Sequence, residues 1–242
     1  MARWTESQQG AIDALALDLE RVFGPRLQSL VAYPGHGGDE TVHSLALVEG
    51  LTFHDLAACL PLANVWHRRG VAVPLMLSRS ELRRTLDIFP LEYAAIIATH
   101  SVVRGSNPFA GITVAAEDLR RACEAQAKSQ LIHLREAFLE SHGDGASVAR
   151  LIISSATPFR ALLTNIARLP DEDASAADVD MTQSDESLAR MAETRMGVPS
   201  RVVRDVLSAS VTGQMTIGEP TALLSRYIDA AQRVWDYVDR WR

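Results

Sequence analysis

Between Leu30 and Gly50 the chain reads LVAYPGHGGDETVHSLALVEG: an apolar run, a glycine-rich turn and a second apolar run. Runs of this length, rich in branched residues and bounded by Pro and Gly, read as β-strands, and the short GHGGDET link predicts an antiparallel pair. The strands are LQSLVAYP and VHSLALVEG. Everything else in the first half of the chain can be placed by working outward from this hairpin.

Upstream, Ile12, Leu15, Leu19 and Val22 recur at helical spacing, with Thr5 placed to cap and Gly24-Pro25 to stop an amphipathic helix. Downstream, Thr52 caps TFHDLAACLPLANVWHRRG, a helical stripe ended by Gly70, in which Pro61 is expected to kink or restart the helix. VAVPLML follows as a third strand, near an edge because Pro74 has no ladder N–H to donate. ELRRTLD after Ser78 and Ser80 is a short helix, and FPLEYAAIIATHSVVRGSNPF mixes extended and helical signals. A domain boundary is expected near Phe109, dividing residues 1–110 from 111–242.

The second half is helical in pattern. AAEDLRRACEAQAKSQLIHLREAFLESHG carries Leu119, Cys123, Ala127, Leu131, Leu134 and Phe138 on one face, with acidic residues at its start and Gly143 at its end, and should be the longest helix. ASVARLIISSATPFRALLTNIARL is apolar around most of its circumference. It therefore reads as a central helix, bent at Pro158, with Leu151, Ile152, Phe159, Leu162 and Ile166 buried. An acidic connection poor in large apolar groups, about residues 170–184, reads as mobile surface. Two shorter helices follow around ESLARMAETRMG and PSRVVRDVLSAS. The last helix opens at Pro220 and places Leu224, Ile228, Ala231, Trp235 and Val238 at core spacing.

Composition narrows the function classes. The chain of 242 residues is 47% hydrophobic with a formal net charge of -6. That suits a packed α+β protein and disfavours a long nucleic-acid partner. Cys59 and Cys123, far apart in helical segments, read as buried thiols and not as a disulfide or metal pair. MARWTESQQG lacks the features of a signal peptide and no apolar run reaches membrane length, so a soluble cytoplasmic location and no membrane partner are expected.

The order helix, strand, glycine turn, strand, helix, followed by LDIFPLEY, VVRGSNP and LRRACEAQAKSQLIHLREAFL, resembles an uncharacterised bacterial branch of the nucleotidyltransferase superfamily, the polymerase-beta-like group. The resemblance spans nearly the whole chain. It implies a mixed sheet with flanking helices, then a C-terminal helical bundle. Active members of the superfamily hold nucleotide phosphates on a Gly-Ser turn after the first strand and bind magnesium with an Asp-x-Asp pair on the second, a third carboxylate coming from a later strand. Hard oxygen ligands there fix cations that neutralise the triphosphate and align the attacking hydroxyl.

Carried over residue by residue, the resemblance puts Gly35 or Gly37 and Gly38 in the phosphate turn, with His36 where a small hydroxyl residue is usual. The acidic pair falls on His43 and Leu45, and Glu92 in PLEY occupies the plausible third position. Neither His43 nor Leu45 supplies a carboxylate oxygen. The implied function is a catalytically degenerate member, a pseudoenzyme that binds a nucleotide, another small ligand or a protein partner, a second copy of the chain included. Its binding residues would be Gly35, His36, Gly37, Gly38 and His43, with no metal site. The alternative is an active magnesium-dependent transferase using carboxylates from other positions, such as Asp39, Glu40, Glu49 or Glu92.

Other candidates have ordinary readings. The turn reads as a hairpin connection more readily than as a phosphate cradle, since neither a lysine nor a helix N-terminus follows it. His43, His54, His67 and His100 lack the spacing of zinc ligands. Ser44, Ser78 and Ser101 stand in no nucleophile elbow. Arg68, Arg69, Arg83 and Arg84 sit near expected helix ends, where the helix dipole favours cations. Tyr227, Trp235, Tyr237 and Trp241 suit core packing or an interface.

Overall fold

A computed structural model describes residues 4–35, 40–169, 184–212 and 220–240. The chain folds as two compact units, Met1–Ala115 and Ala116–Arg242. The first is α+β with a four-stranded mixed sheet, and the second is helical. No helix among the described residues is long and apolar enough to cross a membrane.

The first unit opens with α1 (Glu6–Phe23). The Thr5 side chain accepts a hydrogen bond from the Gln8 backbone N–H, and Gln8 Oε1 in turn accepts the Thr5 backbone N–H. This capping box satisfies donors that a helix start otherwise leaves open. β1 (Leu27–Pro34) and β2 (Val42–Val48) form the antiparallel hairpin, with Val31 opposite Leu45 and Tyr33 opposite His43. α2 (Phe53–Arg68) starts on a second capping box, Thr52 with Asp55. It continues unbroken through Pro61, so the expected restart does not occur.

β3 is shorter than VAVPLML suggests, covering only Leu75–Leu77, parallel to β2 at the sheet edge. Pro74 explains the truncation, because it has no N–H to extend the ladder; a lone bridge from Val71 to Val42 precedes it. ELRRTLD falls in the short helix α3 (Arg79–Thr85), and the mixed signals of residues 89–109 resolve into α4 (Pro90–Thr99) and β4 (Ser101–Gly105). β4 pairs antiparallel with β1, giving the order β3-β2-β1-β4.

Strand alternation gives the sheet two apolar faces. Leu30, Ala32, Val42, Ala46 and Val48 pack with Ile12, Leu15, Leu19, Phe23 and Trp66 from α1 and α2. Val31, Leu45 and Leu47 point the other way and pack with Leu82, Tyr93, Ile96 and Phe109. Both faces are therefore core.

The second unit contains α5 (Ala116–Glu140), α6 (Gly145–Ala167), α7 (Asp185–Met196), α8 (Ser200–Thr212) and α9 (Pro220–Arg240). α5, at 25 residues, is the longest helix among those described, and its face from Leu119 to Leu134 is buried as read, with Phe138 half-buried. α6 runs unbroken past Pro158, and Ile152, Phe159, Leu162 and Ile166 are buried. Leu151 is not: it is half-buried in the wall of a cavity. On α9 the core face is Leu223, Leu224, Tyr227, Ala230, Ala231, Val234 and Val238, while Ile228 and Trp235 fall on its margin, half-buried. The acidic connection, apart from Ser184, and Trp241 lie outside the described residues.

Candidate functional site

Of the sequence-selected positions, Gly35 and Glu40 flank the link between β1 and β2, and His43 is the second residue of β2. Gly35 follows β1 and is half-buried; His36, Gly37, Gly38 and Asp39 lie outside the described residues. Glu40 is exposed, and its carbonyl accepts a hydrogen bond from Gln8 Nε2 at 3.1 Å. His43, half-buried, stacks on its cross-strand neighbour Tyr33 with ring centroids 5.9 Å apart and planes at 28°. Burial raises the Tyr33 pKa above its ordinary value, keeping the phenol protonated. Next to the turn there is thus a small aromatic surface.

Leu45, two residues along the same face, is 0% exposed and belongs to the cluster of Val31, Leu47, Leu82, Tyr93, Ile96 and Phe109. Where the resemblance places an acidic ligand, the chain has interior packing. Glu92 lies in the first turn of α4 and is exposed, and Glu49 is exposed after β2. Among the described residues, no three His, Cys, Asp or Glu side chains come together in a group able to hold a metal ion.

Two buried carboxylates escaped the sequence reading, and both are held by structural partners. Asp55 takes two hydrogen bonds from Arg26, at 2.6 and 3.0 Å, together with those of Thr52. The Arg26 guanidinium, then Thr52, hold its carboxyl well below the usual carboxylate range. Asp18 accepts from Trp66 Nε1 at 3.1 Å and from Arg21 at 3.2 Å, tying α1 to α2. The Thr52-x-x-Asp55 spacing carried a cap signal; the contacts with Arg26 and Trp66 span 29 and 48 residues and carried none.

The HSVVRGSNPF segment builds a closed network. His100 Nδ1 lies 3.0 Å from the carbonyls of Ile96 and Ile97, and Nε2 lies 3.1 Å from Asn107 Oδ1. That same oxygen accepts the Phe109 backbone N–H at 2.9 Å, and the Phe109 ring meets His100 edge-on at 5.0 Å. Ser29 Oγ donates to the Ser106 carbonyl at 2.8 Å. These residues serve to fasten α4, β4 and the following loop together.

The remaining candidates are engaged similarly. Ser78 caps α3; Ser101 Oγ accepts from Trp4 Nε1 at 3.0 Å; Ser44 is buried, its Oγ without a hydrogen-bond partner. His54 and His67 are exposed on α2, and Arg68, Arg83 and Arg84 stand in the last turns of α2 and α3. Cys59 and Cys123 are buried free thiols, and burial pushes Cys123 up to about 12, which keeps it unreactive. No family model and no curated protein sequence matches this chain.

Proposed function

We propose that the N-terminal unit is a nucleotidyltransferase-like module that has exchanged its metal-binding pair for packing, and that it binds a nucleotide or related small ligand without transferring a nucleotidyl group. The burial of Leu45 carries this reading. A divalent cation that orders a triphosphate needs several oxygen ligands at fixed distances. A leucine enclosed by Val31, Leu82, Tyr93 and Phe109 supplies no oxygen and leaves no path for water to supply one.

What survives beside the turn suits binding. The Tyr33 and His43 rings offer a stacking surface at the end of the hairpin, and three residues of the sequence that links its strands, Gly35, Gly37 and Gly38, carry no side chain to keep a ligand from the backbone. Neither recognition needs a metal.

Calorimetric titration of the full chain with ATP, GTP, CTP and UTP, with and without magnesium, tests the proposal. It is paired with an assay of pyrophosphate release in the same solutions. Binding of at least one nucleotide, not strengthened by magnesium and without pyrophosphate release, is the expected outcome. Magnesium-dependent release of pyrophosphate that disappears in Glu92→Ala or Asp39→Ala would establish the active-transferase alternative instead.

A further inference from the structure

Helix α2 buries one side and leaves an apolar row on the other. Asp55, Cys59 and Trp66 are buried, the last two in the cluster that α1, α2 and the sheet share. On the outside, Phe53 is 83%, Leu60 70% and Leu56 44% exposed. Large apolar side chains exposed singly are ordinary, whereas a contiguous apolar patch marks an interaction surface. The helix itself does not call for these residues at its surface, since Phe is a weaker helix former than Glu, Lys or Gln.

Their spacing shows what kind of surface this is. Phe53, Leu56, Leu60, Ala63 and His67 follow one another at steps of three and four residues, the a and d positions of a heptad. Such a row is a seam along which a second helix lies. Between Leu56 and His67 the sequence has no Asp, Glu, Lys or Arg. Exposed charge stands at the two ends instead: Glu49 just before α2, and Arg68 and Arg69 at its close beside the exposed His67. The side chains of Glu49, Arg68 and Arg69 form no ion pair with another described residue.

We infer that α2 is the contact through which two copies of this chain associate, the two helices lying antiparallel about a two-fold axis level with Ala58. Each a position then meets a d position of the second copy. Leu56 packs on Leu60 of the second copy, and the bulky Phe53 on the small Ala63 of the second copy. The same axis sets Glu49 of each copy beside His67 and Arg68 of the other, and the helix dipoles run in opposite directions. A parallel pairing would set Glu49 against Glu49 and Arg68 against Arg68. The face is thus its own complement in shape and in charge, as a two-fold contact requires. The apolar row supplies the affinity and the end charges the orientation, because exposed ion pairs add little energy. One helix face is small beside the roughly 1,600 Å² of a standard interface, so association in the micromolar range is expected.

The test is sedimentation equilibrium of the full chain from about 1 to 200 µM, a range that spans such a dissociation constant. The mass should rise from that of one chain toward twice that value. Leu60→Glu, at a position the fold leaves exposed, should raise the dissociation constant at least about thirtyfold with an unchanged helical circular-dichroism spectrum. The orientation is read by mixing Leu56→Cys with Leu60→Cys under oxidising conditions. A disulfide-linked dimer should form faster in the mixture than in either variant alone. A parent that stays monomeric throughout would leave the face to some other occupant and overturn the inference, as would a dimer that Leu60→Glu leaves intact. Cross-linking no faster in the mixture would overturn the antiparallel arrangement. Should Leu60→Glu fail to fold, the parent's mass and the cysteine mixture decide.

Discussion

A Cβ placed on Gly105 would stand 2.1 Å from the carbonyl oxygen of Gln28. Gly105 also has φ +71, a conformation that side chains disfavour, and it pairs with Ser29 at the end of the ladder between β1 and β4. The glycine in VVRGSNP is therefore required by two independent constraints, and neither involves a ligand.

Gly105→Ala should accordingly destabilise the first unit by roughly 2 to 4 kcal/mol, from backbone strain and the displacement of β1 together. Urea denaturation followed on that unit's transition measures it. A midpoint within error of the parent would show that β4 can be re-seated without cost.

In the second unit, Phe159 is fully buried with its ring edge-on to Tyr227 at 4.9 Å, while Leu151 borders the cavity. Phe159→Ala should cost roughly 3 to 5 kcal/mol and Leu151→Ala much less, since the leucine leaves little apolar surface newly uncontacted. Comparable losses at the two positions would mean that the cavity beside Leu151 is closed.

The buried Ser44 hydroxyl has no partner, so Ser44→Ala removes an unpaired polar atom and leaves the surrounding packing in place. Thermal denaturation should show a stability unchanged or raised by up to about 1 kcal/mol. A clear loss would indicate a hydrogen bond or a function for that hydroxyl.

A carboxylate whose pKa is lower in the folded than in the unfolded chain adds stability that is complete above the unfolded value, about 3.9 for Asp, and is lost as pH falls through the folded one. Asp55, held by Arg26 and Thr52, is such a group. The parent should lose stability more steeply than Asp55→Asn as pH falls below about 5. Asp144 and Glu81 are lowered in the same direction by their helix-capping contacts but are common to both proteins, and so cancel in the comparison. Denaturation midpoints at a series of pH values provide the check, and parallel curves would contradict it.

The hairpin and the first two helices were legible in the sequence because local signals agree: capping residues at Thr5 and Thr52, apolar runs closed by Pro34 and Gly50, and a short link. Where tertiary packing decides, the sequence misled. The spacing of Ile228 and Trp235 fits a core stripe as well as that of Tyr227 and Val234 does, and only the neighbouring helices determine which of these adjacent faces is enclosed. Substitution of a leucine at position 45 was readable; that it sits within a closed cluster contributed by α3, α4 and Phe109 was not. The bonds of Asp18 to Trp66 and of His100 to Asn107, and the cavity at Gln130, depend on side-chain placement with no local signature.

The central claim, that position 45 is core and not a vacated ligand position in an open cleft, is tested most directly by the denaturation midpoint of Leu45→Asp measured with and without magnesium. Enclosure among Val31, Leu82, Tyr93, Ile96 and Phe109 should make the new carboxylate cost roughly 4 kcal/mol or more, with no recovery on adding magnesium. A variant as stable as the parent, or one restored by magnesium, would place Leu45 beside an accessible cation site and contradict the account.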